Sequence, residues 1–197
     1  MQKNTPPRRP KRGTQGQTGR AHFRRQMQAQ AAQPSSAPAD TAWSGEVANW
    51  YDGISGVKGS DLHQEVVLPG VLRMLALKKG ERLLDLACGQ GAFSRMAAGA
   101  GAQVTGLDAS RELIEAARRR SGRSIRYVPG DARGQSILKG ETFDAIACIL
   151  AIQNIDPIAP VFANCARLLR SGGRLALVMN HPAFRVPRQS GWEWDEG

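Results

Sequence analysis

The stretch Leu83-Leu84-Asp85-Leu86-Ala87-Cys88-Gly89-Gln90-Gly91-Ala92-Phe93 decides the fold. An apolar run feeds an acidic residue, then two glycines one residue apart, then a small and apolar segment that reads as a helix. Such a strand–loop–helix unit brings backbone close to a nucleotide-like ligand. Seventeen residues after Gly91, the apolar run Val104-Thr105-Gly106-Leu107 ends at Asp108. An acid closing the second strand of such a unit can accept hydrogen bonds from both hydroxyls of a ribose. Loop and acid at this spacing are together far more specific than a glycine loop alone.

Working outward, the same alternation repeats. Upstream, Pro69 is placed to open a helix through Val71, Leu72, Leu75 and Leu77, with Gly80 as its stop. Arg82–Ala87 reads as the first strand, 92–100 as a helix and Gln103–Asp108 as the second strand. Ser110 is an N-cap for the next helix, whose Glu112 lies early and Arg118, Arg119 and Arg120 late, matching the helix dipole. Gly122 closes it. Ile125–Val128 is a short third strand, and Phe143–Ile149 is a fourth, apolar enough for burial on both faces. Asp156-Pro157 reads as cap plus first helical residue of a helix ending at Ser171-Gly172-Gly173, and Arg174–Met179 is a fifth strand. Five strand–helix alternations predict a parallel sheet with helices on both faces and ligands at the carboxyl ends of its strands. The Asp85–Gly91 loop, Asp108, Asp131 and the Ile149–Asn154 segment all fall at such ends.

The chain of 197 residues is long enough for one domain with a core. Its formal charge of +10 is unevenly spread. Residues 1–39 hold eight Lys or Arg and no Asp or Glu, which leaves nineteen basic against seventeen acidic groups in the remainder. Residues 1–42 are rich in Gln, Ala, Pro, Arg, Gly and Ser without an apolar period, so disorder is expected there. Order is expected to begin near Trp43, where Val47, Trp50 and Tyr51 stand at helical spacing. The N-terminus has no apolar core of a secretory signal, and Pro6, Pro7 and Pro10 oppose the amphipathic helix of a mitochondrial presequence. No run reaches the ~20 apolar residues of a membrane span. Three cysteines (Cys88, Cys148, Cys165) in apolar segments, without metal-ligand spacing, point to reduced thiols and a cytoplasmic setting.

The glycine loop is compatible with a dinucleotide or with an amino-acid-bearing nucleoside, and one charge separates the two. A dinucleotide fingerprint asks for a third small apolar residue where this chain has Ser94. Asp85, four residues before Gly89, would repel a pyrophosphate and suit the cationic amino group of an amino-acid-like ligand.

These motifs resemble, over about Trp43 to Met179, the class I S-adenosylmethionine-dependent methyltransferases of the broad "type 11" group. Asp85-Leu86-Ala87-Cys88-Gly89-Gln90-Gly91 is similar to the family's acidic-x-Gly-x-Gly-x-Gly loop, with Ala87 at the first glycine position. Val104–Ser110, Gly130-Asp131-Ala132 and Phe143-Asp144-Ala145-Ile146 resemble the second, third and fourth motifs, and Leu168–Gly173 the turn into strand five. The resemblance implies an α/β fold, a Rossmann-like doubly wound and mostly parallel sheet in a domain over 43–197, and S-adenosyl-L-methionine as cofactor. It implies that Asp85 holds the methionine amino group and that backbone from Ala87 through Gly89 to Gly91 lies along the methionine and ribose parts. Asp108 would take the ribose hydroxyls, with Ala109 against the adenine. Asp131 would accept from the adenine amino group while the Ala132 N–H donates. Ile149 and Leu150 would close over the cofactor, and Tyr51 resembles an N-terminal aromatic that covers it. The family also adds a sixth and a seventh strand, for which the eighteen residues beyond Met179 do not suffice, so the sheet is expected to stop after strand five with an exposed edge.

The methyl acceptor is less legible. The segment Ala151–Pro157 lacks the Asp/Asn-Pro-Pro-aromatic motif of the family's DNA amino-methylating enzymes, and the Pro-Cys pair of cytosine-C5 enzymes is missing as well. A small-molecule acceptor is therefore the leading expectation, favoured by the near-neutral domain. The alternatives are an RNA or ribosomal target, with residues 1–42 as a salt-sensitive nucleic-acid tether, and a truncated remnant without catalysis. His181, at the end of strand five, is the candidate base; the following stretch to Trp192 mixes basic and aromatic residues that could grip an anionic or aromatic substrate.

Overall fold

The computed structural model describes residue 43, residues 45–56 and residues 61–180, except for the side chains at 51, 54 and 55. The basic extension expected over 1–42, the candidate base His181 and the loop after it lie outside the described residues. The chain runs through α1 (Glu46–Ser55), a π-helical turn (His63–Val67) continuous with α2 (Leu68–Leu75), β1 (Arg82–Leu86), α3 (Ala92–Gly99) and β2 (Gln103–Asp108). It continues through α4 (Arg111–Ser121), β3 (Arg126–Pro129), β4 (Phe143–Ile149), α5 (Ala159–Leu168) and β5 (Leu169–Val178).

All strand pairs are parallel, and the order is β3-β2-β1-β4-β5. The chain builds outward from β1 to β3, then returns to place β4 on the other side of β1. The reversal opens a crevice at the carboxyl ends of β1 and β4. β1 shows why the sheet needs cover on both faces. Leu84 and Leu86 point into a core shared with Phe143, Ile146, Val161 and Leu168, under α5. Leu83 points the other way, toward Phe93, Ala97 and Ile114 of α3 and α4 and toward Val71 and Leu75 of α2. Each such buried aliphatic side chain contributes roughly 1.5–3 kcal/mol. Asp85 occupies the same face as Leu83, a core position given to a carboxylate.

Helix boundaries follow local chemistry. Ser110 caps α4 as expected, its hydroxyl accepting the Leu113 N–H at 3.2 Å. Two expectations need correction. Helix α2 ends at Ala76, not at Gly80: Ala76 takes the left-handed conformation (φ 44°) and its N–H reaches back to the Leu72 and Arg73 carbonyls. Pro69 lies within a helix that has already begun. Helix α5 starts at Ala159 with Pro160 in its first turn, beyond the cis Asp156–Pro157 bond, and stops at Leu168. The Ser171-Gly172-Gly173 stretch belongs to β5. There Leu169 pairs with Phe143 and Arg174 with Ala145, so the residues between loop out of the ladder. Gly172 (φ 73°) makes that turn, and a Cβ on Gly173 would sit 2.9 Å from the Arg170 carbonyl. Among the described residues β5 is an edge of the sheet, with Leu175 exposed.

The amino end of the sheet is an ionic collar. Glu81 pairs with Arg174 and, at 3.6 Å, with Arg170. Glu141 pairs with Arg82 at 3.1 Å and Arg126 at 2.8 Å. Asp144 pairs with Arg170 and accepts the Arg82 backbone N–H at 2.6 Å. The Arg174 hydrogen bond in particular draws the Glu81 carboxyl below its ordinary range.

Candidate functional site

The opposite end of the sheet is built around the loop between β1 and α3. The Cys88 N–H donates to the Leu107 carbonyl of β2 at 3.0 Å, and the Gly91 N–H turns back to the Cys88 carbonyl at 3.0 Å. Ala87, Gly89 and Gly91 all have positive φ (58°, 54° and 80°). A Cβ on Gly91 would fall against the Tyr127 hydroxyl, inside contact distance, and 3.2 Å from the Ala117 methyl group. Gly91 is thus fixed by conformation and by space together. Ala87 stands in the left-handed region with a side chain, which costs about 1–2 kcal/mol.

Asp108 ends β2 with both oxygens engaged by backbone. One accepts the Gly89 N–H at 2.7 Å and the other the Ser110 N–H at 2.9 Å. The second strand's acid therefore holds the glycine loop itself. It is 8% exposed, and burial raises its pKa against the lowering effect of those two N–H bonds. Asp85 is 2% exposed, and its carboxylate accepts the Ser94 hydroxyl at 2.6 Å. Burial, helped by the neighbouring Asp108 charge, pushes Asp85 up to about 7. Among the described residues neither carboxylate has an ion pair, though Arg95 lies close enough to Asp85 to oppose the rise. The same burial and the same two charges push the Cys88 thiol well above its ordinary value, so it stays protonated and unreactive.

The third acid is different in kind. Asp131, after β3, is exposed and wrapped by Arg133: the guanidinium donates from Nε at 2.9–3.0 Å and from Nη2 at 2.6 Å, and the Arg133 backbone N–H adds 2.8 Å. This contact lowers its pKa. Arg133 also donates to the Asp156 carbonyl at 2.5 Å, tying the loop after β3 to the turn before α5. Ala132 is buried, and its carbonyl accepts the Asn164 side-chain amide at 2.8 Å. Ala109 is exposed at the rim, and Ile149 is half-buried at the end of β4. Leu150 follows with φ 52°, its N–H donating to the Val178 carbonyl at 2.7 Å. Tyr51 lies on α1, and its side chain is outside the described residues.

The fold thus brings Asp85, Ala87, Gly89, Gly91, Asp108 and Ala109 to one crevice, with Asp131, Ala132 and Ile149 at its flanking strand ends. Ser94, Tyr127, Gln90, Arg95 and Arg133 also shape this end of the sheet, with no role expected for them from the sequence. Ser94 was visible as a hydroxyl one turn into α3, facing the strand that carries Asp85. Tyr127 gives no local signal: its ring fills the space over Gly106, where a Cβ would approach it to 2.6 Å, and its hydroxyl lies 2.9 Å from that of Ser121. Among the described residues no helix is long and apolar enough to cross a membrane.

A parallel sheet reversed at β1/β4, with a glycine loop pinned by a buried acid at the end of β2, defines a nucleotide-binding Rossmann-like α/β domain. A family profile described as "Methyltransferase domain" matches residues 84–177. The chain is 34% identical over 111 residues to a demethylmenaquinone methyltransferase of Tropheryma whipplei, covering 56% of this chain and 46% of that one. It is 39% identical over 134 residues to a ubiquinone biosynthesis O-methyltransferase of Xanthomonas campestris pv. campestris, covering 65% and 54%. A solved SAM-dependent methyltransferase from Thiobacillus denitrificans, in complex with S-adenosyl-L-homocysteine, superposes with TM-score 0.54 at 25% identity, covering 68% of this chain and 54% of that one. Residues 84–177 thus match the methyltransferase domain of the class I S-adenosylmethionine-dependent family. The chain spans about half the length of the curated relatives it matches.

Proposed function

We propose that this protein binds S-adenosyl-L-methionine in the crevice at the carboxyl ends of its strands, between the glycine loop and Asp108, and transfers its methyl group to a small-molecule acceptor. One observation carries the reading: two carboxylates, Asp85 and Asp108, are buried on either side of a glycine loop, and among the described residues no cation stands at ion-pair distance from either. Buried carboxylates without a cation are costly, and a ligand that brings positive charge and hydroxyl donors relieves that cost. The donor set fits an aminoacyl nucleoside. Asp108 keeps lone pairs beyond those taken by Gly89 and Ser110 for two ribose hydroxyls. Asp85, oriented by Ser94, faces the amino group, and the backbone from Ala87 to Gly91 comes close because Gly91 carries no Cβ. Ala109 lies against the adenine, Ala132 and Asp131 take its polar edge, and Arg133 shares the Asp131 carboxylate there. Ile149 closes the base of the crevice.

When bound, the cofactor supplies a methyl group on a positively charged sulfur, so the protein's task is alignment rather than covalent catalysis. The Asp108 carboxylate, with Asp85 once a bound ammonium draws off its proton, favours a ligand that carries positive charge. Two matched relatives are named for quinone methylation, which supports a phenolic or quinol-type acceptor for this chain. Calorimetric titration with S-adenosylhomocysteine followed by transfer of labelled methyl to a panel of catechols and quinols tests the reading. Saturable binding with label on a phenolic oxygen or ring carbon is expected. A folded chain that binds no S-adenosylhomocysteine overturns it.

A further inference from the structure

Gln90, between the two glycines of the loop, does not point at the crevice floor. It is 3% exposed, and every polar atom of its side chain is used. Its amide nitrogen donates to the Gly56 carbonyl, at the end of α1, at 2.7 Å. Its amide oxygen accepts the Arg95 guanidinium at 2.8 Å, and its backbone carbonyl accepts the same guanidinium at 2.7 Å. Arg95 has only donors and the Gly56 carbonyl only acceptor capacity, so the amide can stand in just one orientation. The remainder of α1 is held from elsewhere. Asp52 forms a two-pronged pair with Arg120 of α4, one prong at 2.8 Å, and the Gly45 N–H donates to Glu112 at 3.3 Å. Helix α1 therefore rests on α4 through Gly45 and Asp52 and on the glycine loop through Gly56.

We infer that Gln90 is a positioning residue that couples the cofactor loop to α1, with Arg95 as the brace that fixes its amide. The inference rests on the reading of the loop as the cofactor's cradle. Order passes through one hydrogen bond: a ligand that stills the backbone from Ala87 to Gly91 stills the end of α1. Conversely, a helix end released from Gln90 leaves the loop freer and the ligand more weakly held. Asp52 and Arg120, which hold α1 on α4 without a hydrogen bond to Gln90, provide the contrast.

Gln90→Glu separates this role from simple packing. The substitution keeps the volume and the Arg95 contact but sets a carboxylate oxygen against the Gly56 carbonyl, removing the donor. Amide hydrogen exchange on the full chain, with and without S-adenosylhomocysteine, reads the helix; calorimetry reads the ligand. In Gln90→Glu the amides of 52–56 are expected to exchange about fivefold faster, with those of α4 unchanged, and S-adenosylhomocysteine to bind about fivefold more weakly, the size of one lost hydrogen bond. Ligand should protect 52–56 in the wild-type chain and not in the variant. Asp52→Asn should speed exchange across α1 while ligand still protects 52–56. Unchanged exchange in Gln90→Glu overturns the contact, and faster exchange with full ligand affinity overturns the coupling. A wild-type chain that binds no S-adenosylhomocysteine, while Gln90→Glu still frees 52–56, overturns the cofactor reading and the coupling but not the contact.

Discussion

The two ends of the sheet treat carboxylates in opposite ways. At the amino end Glu81, Glu141 and Asp144 each meet at least one arginine. At the carboxyl end Asp85 and Asp108 are more deeply buried, and among the described residues a hydroxyl and backbone N–H groups, not a paired arginine, hydrogen-bond to them. An end built for stability neutralises its charges internally. On the proposed reading, the carboxyl end leaves that neutralisation to the ligand, at a standing cost to the folded chain. Asp131 stands between these cases, being at the carboxyl end yet already paired with Arg133.

The contrast is most sharply tested at Asp108. Asp108→Ala removes two charge-assisted acceptors for the ribose together with the anchor of the Gly89 N–H, so S-adenosylhomocysteine affinity should fall about a hundredfold or more by calorimetry. Retained affinity would place the ligand elsewhere.

Asp85 offers the next largest effect. Its carboxyl is held up to about 7, so the folded protein keeps a proton that the unfolded chain, with an ordinary value near 4, gives up. Stability should therefore fall as pH rises from about 4 to about 7 and level off above, by on the order of a few kcal/mol. Thermal melts across that window should show a clearly shallower slope in Asp85→Asn than in the wild-type chain, the remainder coming from Asp108. A bound ammonium favours the carboxylate, so S-adenosylhomocysteine affinity should rise through the same window.

Gly91→Ala forces a methyl group against the Tyr127 hydroxyl at a positive φ and should cost about 1–3 kcal/mol in denaturant unfolding. Tyr127→Phe added to it should recover part of the loss, because it removes the atom met first. At the amino end, Glu81→Gln should lower the melting temperature, through the freed Arg174 and Arg170, and leave S-adenosylhomocysteine affinity unchanged. An affinity loss there would break the division of labour between the ends. The smallest effect is Ala87→Gly. Relief of the left-handed strain should outweigh the added freedom of the unfolded chain by about 0.5–1 kcal/mol in chemical denaturation.

Much of the fold was legible because its signals are local. β2 and β4 stand at the expected residues, and Ser110 caps α4, because an apolar run and a capping hydroxyl act within one turn or one strand. Two of the misreadings gave a glycine the wrong job. Gly80 seemed a helix stop, yet Ala76 turned first so that Leu77 could pack toward the core. Gly172 and Gly173 read as a helix end, yet they let β5 loop out and rejoin the ladder at Arg174. Both outcomes depend on what the neighbouring element leaves room for, which no local pattern encodes.

The same line divides the site. By itself the sequence determined the strand–loop–helix unit, the spacing from Gly91 to Asp108 and the preference for a cationic ligand, because spacing along a chain fixes which residues end up at strand ends. Only the tertiary structure decided how those acids are held. Asp108 grips the loop through the Gly89 N–H, Ser94 turns toward Asp85, Tyr127 fills the space beside Gly91, and Gln90 reaches back to Gly56 across 34 positions of sequence. Hydrogen bonds and close contacts of that kind depend on distances between elements, and those distances exist only after the sheet and its helices have packed.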